Sequence, residues 1–178
     1  MQTPDGSPAN APSAATDLFA EVYARLKAMA AKQLAGAGAT LETTALVHEL
    51  YLRMCANRDL AFEQESQFFA YAARAMRHLL SDRARARLRQ RAGGEWSRVT
   101  LTGGDRQFAI ESAEQALALD AALERLEATD ARAARVFELL FFAGLTIDQV
   151  AAALAVGASS VDRDWRFARA FLRTQLAR

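Results

Sequence analysis

The sequence has few of the residues that staple small secreted domains or interrupt helices. It holds one cysteine, Cys55, among 178 residues, which excludes an intramolecular disulfide and is typical of a reducing compartment. Only three prolines occur and alanine is abundant, which favours helix. We therefore expect a helical, cytoplasmic protein.

Long apolar runs and secretory features are also missing. No hydrophobic stretch approaches the length needed to cross a bilayer, so we expect no membrane partner. Residues 1–16 lack the basic and apolar regions of a secretory signal and are rich in Pro, Gly, Ser and Asn. Such a composition buries too little surface to offset the entropy of ordering, so this segment is predicted to be a disordered tail.

Constellations of catalytic or metal-binding residues are scarce. His48-Glu49 begins the HExxH pattern of zinc proteases, but Leu52 stands where the second histidine is required. Two histidines and one cysteine do not supply a zinc cluster. Gly36 and Gly38 lack the third glycine of a phosphate-binding loop. The sequence therefore predicts no enzyme activity, no metal, no cofactor and no small-molecule substrate.

The charge distribution is more informative than the net charge of +1. Between Arg74 and Arg91 there are seven arginines against one acid, Asp82. A second basic stretch near the C-terminus contains Arg163, Arg166, Arg169, Arg173 and Arg178. Two basic stripes on a near-neutral chain indicate either two anionic contacts or two solvated helix faces.

Hydrophobic periodicity predicts helices over most of the chain. Apolar spacing predicts three helices in the first half: Asp17 to about Ala35, about Glu42 to Ala56, and a long helix from a Ser66 cap into the arginine stretch. Residues 93–112 contain four glycines and no sustained period, so a flexible linker is predicted there. Four further helices follow it. The predicted fold is all-α, with small helical domains at 17–92 and 113–178.

Caps and inward positions can be assigned in the second half. Thr129 or Asp130 is expected to cap one helix, Thr146 the next, and Ser159 or a neighbour to begin the last. The residues expected to face inward share helical spacing and are Ala116, Leu119, Leu123, Leu126, Ala133, Val136, Phe137, Leu140, Phe141, Val161, Trp165, Ala168 and Leu172.

Residues 144–165 have the features of a helix-turn-helix. Thr146 caps the first helix, Ala151 is small where the helices cross, Leu154 and Val156 plug the turn, and Val161 points inward. A plain helical hairpin is the alternative, but these features occur together in register. The outward positions of the second helix would then meet a major groove, and they are Ser159, Ser160, Asp162, Arg163 and Arg166.

The segment from Leu123 to Leu172 resembles the C-terminal domain of sigma-70 family proteins, through residues 136–151 (Val-Phe-Glu-Leu-Leu-Phe-Phe-Ala-Gly-Leu-Thr-Ile-Asp-Gln-Val-Ala) and the Arg- and Ala-rich last helix. In that family this domain reads the minus-35 promoter element. Asp162 departs from the family, because many relatives carry Lys or Arg there. Its carboxylate would either repel phosphate or accept a hydrogen bond from a cytosine amino group.

The first half resembles the other sigma domain. Residues 45–54 are similar to the helix that docks on the clamp helices of the largest subunit of RNA polymerase, and residues 68–85 to the helix that reads and melts the minus-ten element. The presence of these two domains alone resembles the extracytoplasmic-function (ECF) subgroup. The resemblance implies polymerase contacts at Glu42, Thr44, His48, Glu49 and Arg53, and promoter contacts at Arg74, Arg77, His78 and Arg85.

The loop at 61–67 lies where the family captures a flipped non-template base. Flipping needs a pocket with stacking or polar edges. Phe62 and Phe68 could each stack on such a base or belong to the core, and the sequence does not decide between these roles.

The docking helix begins with less negative charge than is usual in the family. Relatives carry two or more carboxylates there, whereas this chain reads Glu42-Thr43-Thr44-Ala45. In this feature the chain resembles a subset of ECF factors that are thought to be switched on by Ser/Thr kinases. A phosphothreonine carries a charge of about −1.5 to −2. We therefore hypothesise that phosphorylation of Thr43 or Thr44 restores polymerase binding; the alternative is that both are ordinary capping threonines.

Taken together, the residues predict an alternative sigma factor whose partners are core RNA polymerase, promoter DNA and a Ser/Thr kinase. Two other classes remain open at this point. One is a helix-turn-helix regulator that binds DNA alone as a dimer. The other is a helical interaction protein with no role on DNA.

Overall fold

The computed structural model describes residues 23–24, 45, 47–53, 62, 64–89, 99–103, 106–110 and 112–177. The predicted tail, Glu42, Thr43, Thr44 and Cys55 lie outside these residues. Residues 45 and 47–53 are helical. Beyond them the described elements are α1 (Glu65–Arg89), β1 (Val99–Gly103), β2 (Arg106–Ile110), α2 (Ala113–Thr129), α3 (Ala131–Phe141), α4 (Ile147–Leu154) and α5 (Ala158–Leu176). The predicted helical class is confirmed.

One element was not predicted. The strands β1 and β2 form an antiparallel hairpin, with Val99 opposite Ile110 and Leu101 opposite Phe108. This hairpin lies inside the segment expected to be a linker. Its signal in the sequence is weak, because each strand has only five residues and the four glycines of the segment suggested flexibility.

The predicted helix caps are largely confirmed. The Asp130 side chain accepts a hydrogen bond from the Ala133 backbone N–H, 2.9 Å away, and so caps α3. The Thr146 hydroxyl and the Gln149 side chain form a capping box at the start of α4. The helix α1 begins at Glu65, so Ser66, the predicted cap, lies in its first turn instead.

Aromatic stacking organises the C-terminal half. The Phe137 ring stacks on Phe141 with centroids 4.8 Å apart and on Trp165 with centroids 5.3 Å apart. Both phenylalanines and Trp165 are buried, as are the other inward positions predicted in this half. The inward face of these helices, including the assignment of Trp165 to the core, is therefore confirmed.

The helices of the two predicted domains share one core. The buried apolar side chains form a continuous cluster that extends from Val47 and Leu50 through α1 to Leu172 on α5. Within it, α1 packs against α2 and α3, while α5 packs against α2, α3 and α4. The promoter-reading helix predicted in the first half therefore lies directly on helices of the second half. Among the described residues, no helix is long and apolar enough to span a membrane.

Candidate nucleic-acid interface

The turn between α4 and α5 has a defined backbone conformation. Ala155 adopts φ 52° and ψ 43°, in the left-handed region. The Val156 N–H donates to the Ala151 carbonyl at 3.0 Å, and the Ala155 N–H donates to the Ala152 carbonyl at 3.3 Å. This pair of bonds is the Schellman pattern, which satisfies carbonyls at the end of α4. It sets the direction in which the chain enters α5.

The outer face of α5 carries the residues expected to read a major groove. Ser159, Arg163 and Arg166 are exposed, and Ser160 and Asp162 are partly buried. Burial of Val161, Trp165, Ala168 and Leu172 turns the opposite side of the helix inward. The predicted reading residues thus share one accessible region near the N-terminal end of α5.

Asp162 is engaged within its own helix. Its carboxylate accepts a hydrogen bond from the Arg166 guanidinium, one turn further along α5. The carboxylate that departs from the family pattern therefore compensates one of the two arginines expected to meet DNA. This contact tempers the positive potential of the surface.

An ion pair between exposed Arg132 and buried Asp164 holds α5 against α3. The Arg132 Nε and Nη2 atoms donate to the two Asp164 carboxylate oxygens at 2.6 and 3.1 Å, and Asp164 is buried. The hydrogen bonds and charge of Asp164 raise the pKa of Arg132 above its usual value. The sequence did not predict a role for either residue. The position of Asp164 on the same face of the helix as Val161 and Trp165 could have indicated that its carboxylate is buried and needs a partner.

The four residues expected to contact the minus-ten element lie on α1 but differ in exposure. Arg74, His78 and Arg85 are exposed, whereas Arg77 is 3% exposed. All three arginines pair with carboxylates of the C-terminal helices. In this arrangement Arg77 does not present a guanidinium to solvent.

Arg77 is bound by two acids that come from different helices. Its Nε donates to Asp120 Oδ1 at 2.7 Å and its Nη2 to the Asp120 backbone carbonyl at 2.9 Å. Its Nη1 donates to Glu138 Oε1 at 3.0 Å. Burial disfavours the charged form, but the hydrogen bonds and charges of Asp120 and Glu138 outweigh it and raise the pKa of Arg77. These three buried residues are named the Arg77 cluster below.

Two contacts of more exposed arginines flank the Arg77 cluster. Arg74 Nη2 donates to both carboxylate oxygens of Glu127, at 2.7 and 3.0 Å. Arg85 donates to Asp120 at 3.4 Å and to Asp82 at 3.3 Å. Because both arginines are about half exposed, each contact is weaker than the buried one.

Two of the predicted docking residues that the structure describes form hydrogen bonds with side chains of α1. Glu49 accepts hydrogen bonds from Arg53 at 3.3 Å and from Arg83 at 3.2 Å, and Arg53 also donates to Asp82 at 3.3 Å. His48 is exposed, and its ring lies 6.1 Å from that of Tyr51. Glu42 and Thr44 lie outside the described part of the chain.

The structure distinguishes the two aromatic residues of the base-capture region. Phe68 is 2% exposed and belongs to the core. Phe62 is partly buried, with its ring edge-on to Phe68 at 5.3 Å and 5.6 Å from Tyr71. Of the two, Phe62 is therefore the one with surface available for a ligand.

A family model described as ECF sigma factor matches residues 7–178, nearly the whole chain. The chain belongs to the ECF sigma factor family. ECF sigma factors bind RNA polymerase core and promoter DNA, and in general work in the cytoplasm. No curated protein and no solved structure matches the chain.

Proposed function

We propose that this ECF sigma factor binds core RNA polymerase and directs it to promoters through two DNA-reading surfaces, one on α1 and one on α5. The observation that carries the proposal is the family match over residues 7–178, which includes both surfaces and the docking helix. The chain itself performs no catalysis in this account, because the chemistry of RNA synthesis belongs to the polymerase.

The minus-35 element is assigned to α4 and α5, acting as a helix-turn-helix. Support comes from the short connection between them and from exposed Ser159, Arg163 and Arg166 near the start of α5. Small and basic side chains at the N-terminal end of a recognition helix allow close approach to base edges and phosphates.

The minus-ten element is assigned to the arginine-bearing surface of α1, with Phe62 beside it as a base-stacking candidate. Arg74, His78 and Arg85 are accessible there, and Arg77 lies between them in the buried cluster. The docking surface for the clamp helices is assigned to the helical residues 45 and 47–53, through His48, Glu49 and Arg53, together with Glu42 and Thr44.

Complex formation with purified core polymerase tests this assignment. Labelled chain should bind core, and the complex should retain promoter duplex that neither component retains alone. The matched comparison is Glu49→Lys against Glu124→Lys, because both replace a glutamate by the same cation but only Glu49 lies in the proposed docking surface. A chain that binds duplex tightly without core, and gains nothing from core, would contradict the proposal and favour an independent DNA-binding regulator.

We further propose that docking is switched by phosphorylation of Thr43 or Thr44. The support is the sequence Glu42-Thr43-Thr44-Ala45, where relatives carry more carboxylates, and the helical conformation of residues 45 and 47–53. A phosphate near a helix N-terminus is stabilised by the helix dipole by roughly 0.3–1 kcal/mol. On the polymerase it would pair with basic residues of the clamp.

Core affinity of site-specifically phosphorylated protein tests the switch. Phosphothreonine at position 44 should tighten core binding by about tenfold or more, since it supplies close to two negative charges where the docking surface lacks them. Phosphothreonine at position 40 is the control, because it adds the same charge just outside the site. Equal affinities for the unmodified protein and for proteins phosphorylated at position 43 or 44 would rule out the switch.

A further inference from the structure

The Arg77 cluster joins parts of the chain that are expected to act on different promoter elements. Arg77 lies on α1, Asp120 on α2 and Glu138 on α3, and all three are at least nine-tenths buried. Burying an ionised group costs several kcal/mol unless it is paired and hydrogen-bonded. Here every guanidinium nitrogen of Arg77 finds an oxygen within 3.0 Å.

The acids of α2 and α3 bind the same donors that DNA would use. Arg74, Arg77 and Arg85 are three of the four α1 residues assigned to promoter contacts, and they pair with Glu127, Asp120 and Glu138. A guanidinium recognises carboxylate and phosphate with the same planar set of N–H groups. The two partners therefore exclude each other at these arginines.

We propose that the acidic face formed by Asp120, Glu127 and Glu138 is an intramolecular competitor of promoter DNA, which engages the arginines of the minus-ten surface in the free protein. This inference rests on the proposed function, because it takes the α1 arginines to be DNA ligands. DNA binds only the fraction of molecules in which α1 has separated from α2 and α3. The apparent affinity of the free protein is reduced by that fraction.

The charge network also connects this face to the docking helix. Arg85 donates hydrogen bonds to both Asp120 and Asp82. Asp82 also accepts a hydrogen bond from Arg53 of the docking helix. A polymerase contact at Arg53 would therefore act on a residue that is linked to Asp120 through Asp82 and Arg85.

Binding of a fluorescein-labelled single-stranded oligonucleotide of mixed sequence to the full chain, without polymerase, tests the inference. Asp120→Asn should tighten binding by about tenfold, because it removes one of the two charges that hold Arg77. Its control is Asp164→Asn, which removes a carboxylate of equal burial that also binds an arginine, but within the C-terminal helices. The control should change affinity by less than about twofold.

A second pair of variants replaces residues that are not buried in the core. Glu127→Gln should tighten binding by about two- to fivefold, the range expected from loss of an exposed ion pair. Glu124→Gln removes the same charge from an exposed site one turn away on α2 and should have a smaller effect. Adding Arg74→Ala to Glu127→Gln should cancel its gain, because Arg74 is the arginine that Glu127 binds, and a purely structural role of Glu127 does not predict this.

Amide hydrogen exchange distinguishes release from unfolding. In Asp120→Asn, exchange of α1 should rise while helical circular dichroism is retained; if that variant loses its helical signal, the Glu127→Gln pair decides. The inference is overturned if each folded releasing variant binds the oligonucleotide no more tightly than its control. Because polymerase is absent, that result leaves the complex-formation test of the proposed function intact.

Discussion

The partners of Arg77 could not be predicted from the sequence around it. Its position in a basic helix predicts a DNA contact, yet its nearest acids lie 43 and 61 residues further along the chain. No local pattern reports such distant pairing, since helical periodicity describes only neighbours three and four residues apart. The local sign of its burial was the apolar residues around it: Ala73 and Leu80, four residues before and three after Arg77, are buried on the same face of the helix, and Met76 beside it is buried as well.

The difference between a buried and an exposed arginine should appear in stability. Replacing Arg77 by alanine leaves two buried carboxylates without their cation and should lower the free energy of unfolding by about 3–5 kcal/mol. Replacing Arg74, whose ion pair is exposed, should cost no more than about 1 kcal/mol. Urea unfolding of the two variants beside the parent protein measures both. Comparable losses would contradict the assignment of Arg77 to a buried, doubly paired site.

Helices α2 to α5 were predictable as elements because their signals are local. Asp130 and Thr146 cap as expected from their side chains, and the inward positions of α5 follow one stripe. The hairpin was missed because short strands among glycines carry little periodic signal. The turn after α4 was located, but its left-handed Ala155 was not foreseen, since alanine rarely adopts that conformation.

The strained turn provides a test at the scale of this element. The left-handed conformation of Ala155 is unfavourable by roughly 1–2 kcal/mol, a cost that is absent for glycine. Because glycine also loses more backbone entropy on folding, Ala155→Gly should raise the free energy of unfolding by no more than about 1 kcal/mol. Ala152→Gly, inside α4, should lower it by about 1 kcal/mol. Thermal unfolding compares the two, and a loss of stability in both would show that the turn is not strained.

The direction of α5 on DNA can also be tested. In a recognition helix the N-terminal residues enter the major groove, so Arg163→Ala should weaken binding of the polymerase complex to promoter duplex and reduce the slope of log affinity against log salt by about 1. Arg173→Ala, also exposed but near the end of α5, should have a smaller effect. Titration at several salt concentrations measures both. A larger effect of Arg173 would reverse the assigned orientation.

At the scale of the whole molecule, the family could be recognised from the sequence but the contact between its halves could not. Motifs such as residues 136–151 are contiguous, and the family match over residues 7–178 agrees with them. The packing of α1 on α2 and α3 depends on surfaces brought together only by folding. Whether the two halves are separate domains joined by a linker stays a prediction. In the proposed competition, this contact lowers the DNA affinity of the free protein.

The most direct test of the proposed function is whether this chain gives core RNA polymerase its promoter specificity. Core should be supplied with fragmented genomic DNA of the source bacterium, with and without the chain in unphosphorylated and phosphorylated forms, and the 5′ ends of the RNA mapped. We expect new start sites that appear only with the chain and share two upstream elements centred near minus ten and minus 35. RNA whose start sites are the same with and without the chain, in every phosphorylation state, would contradict the proposed function.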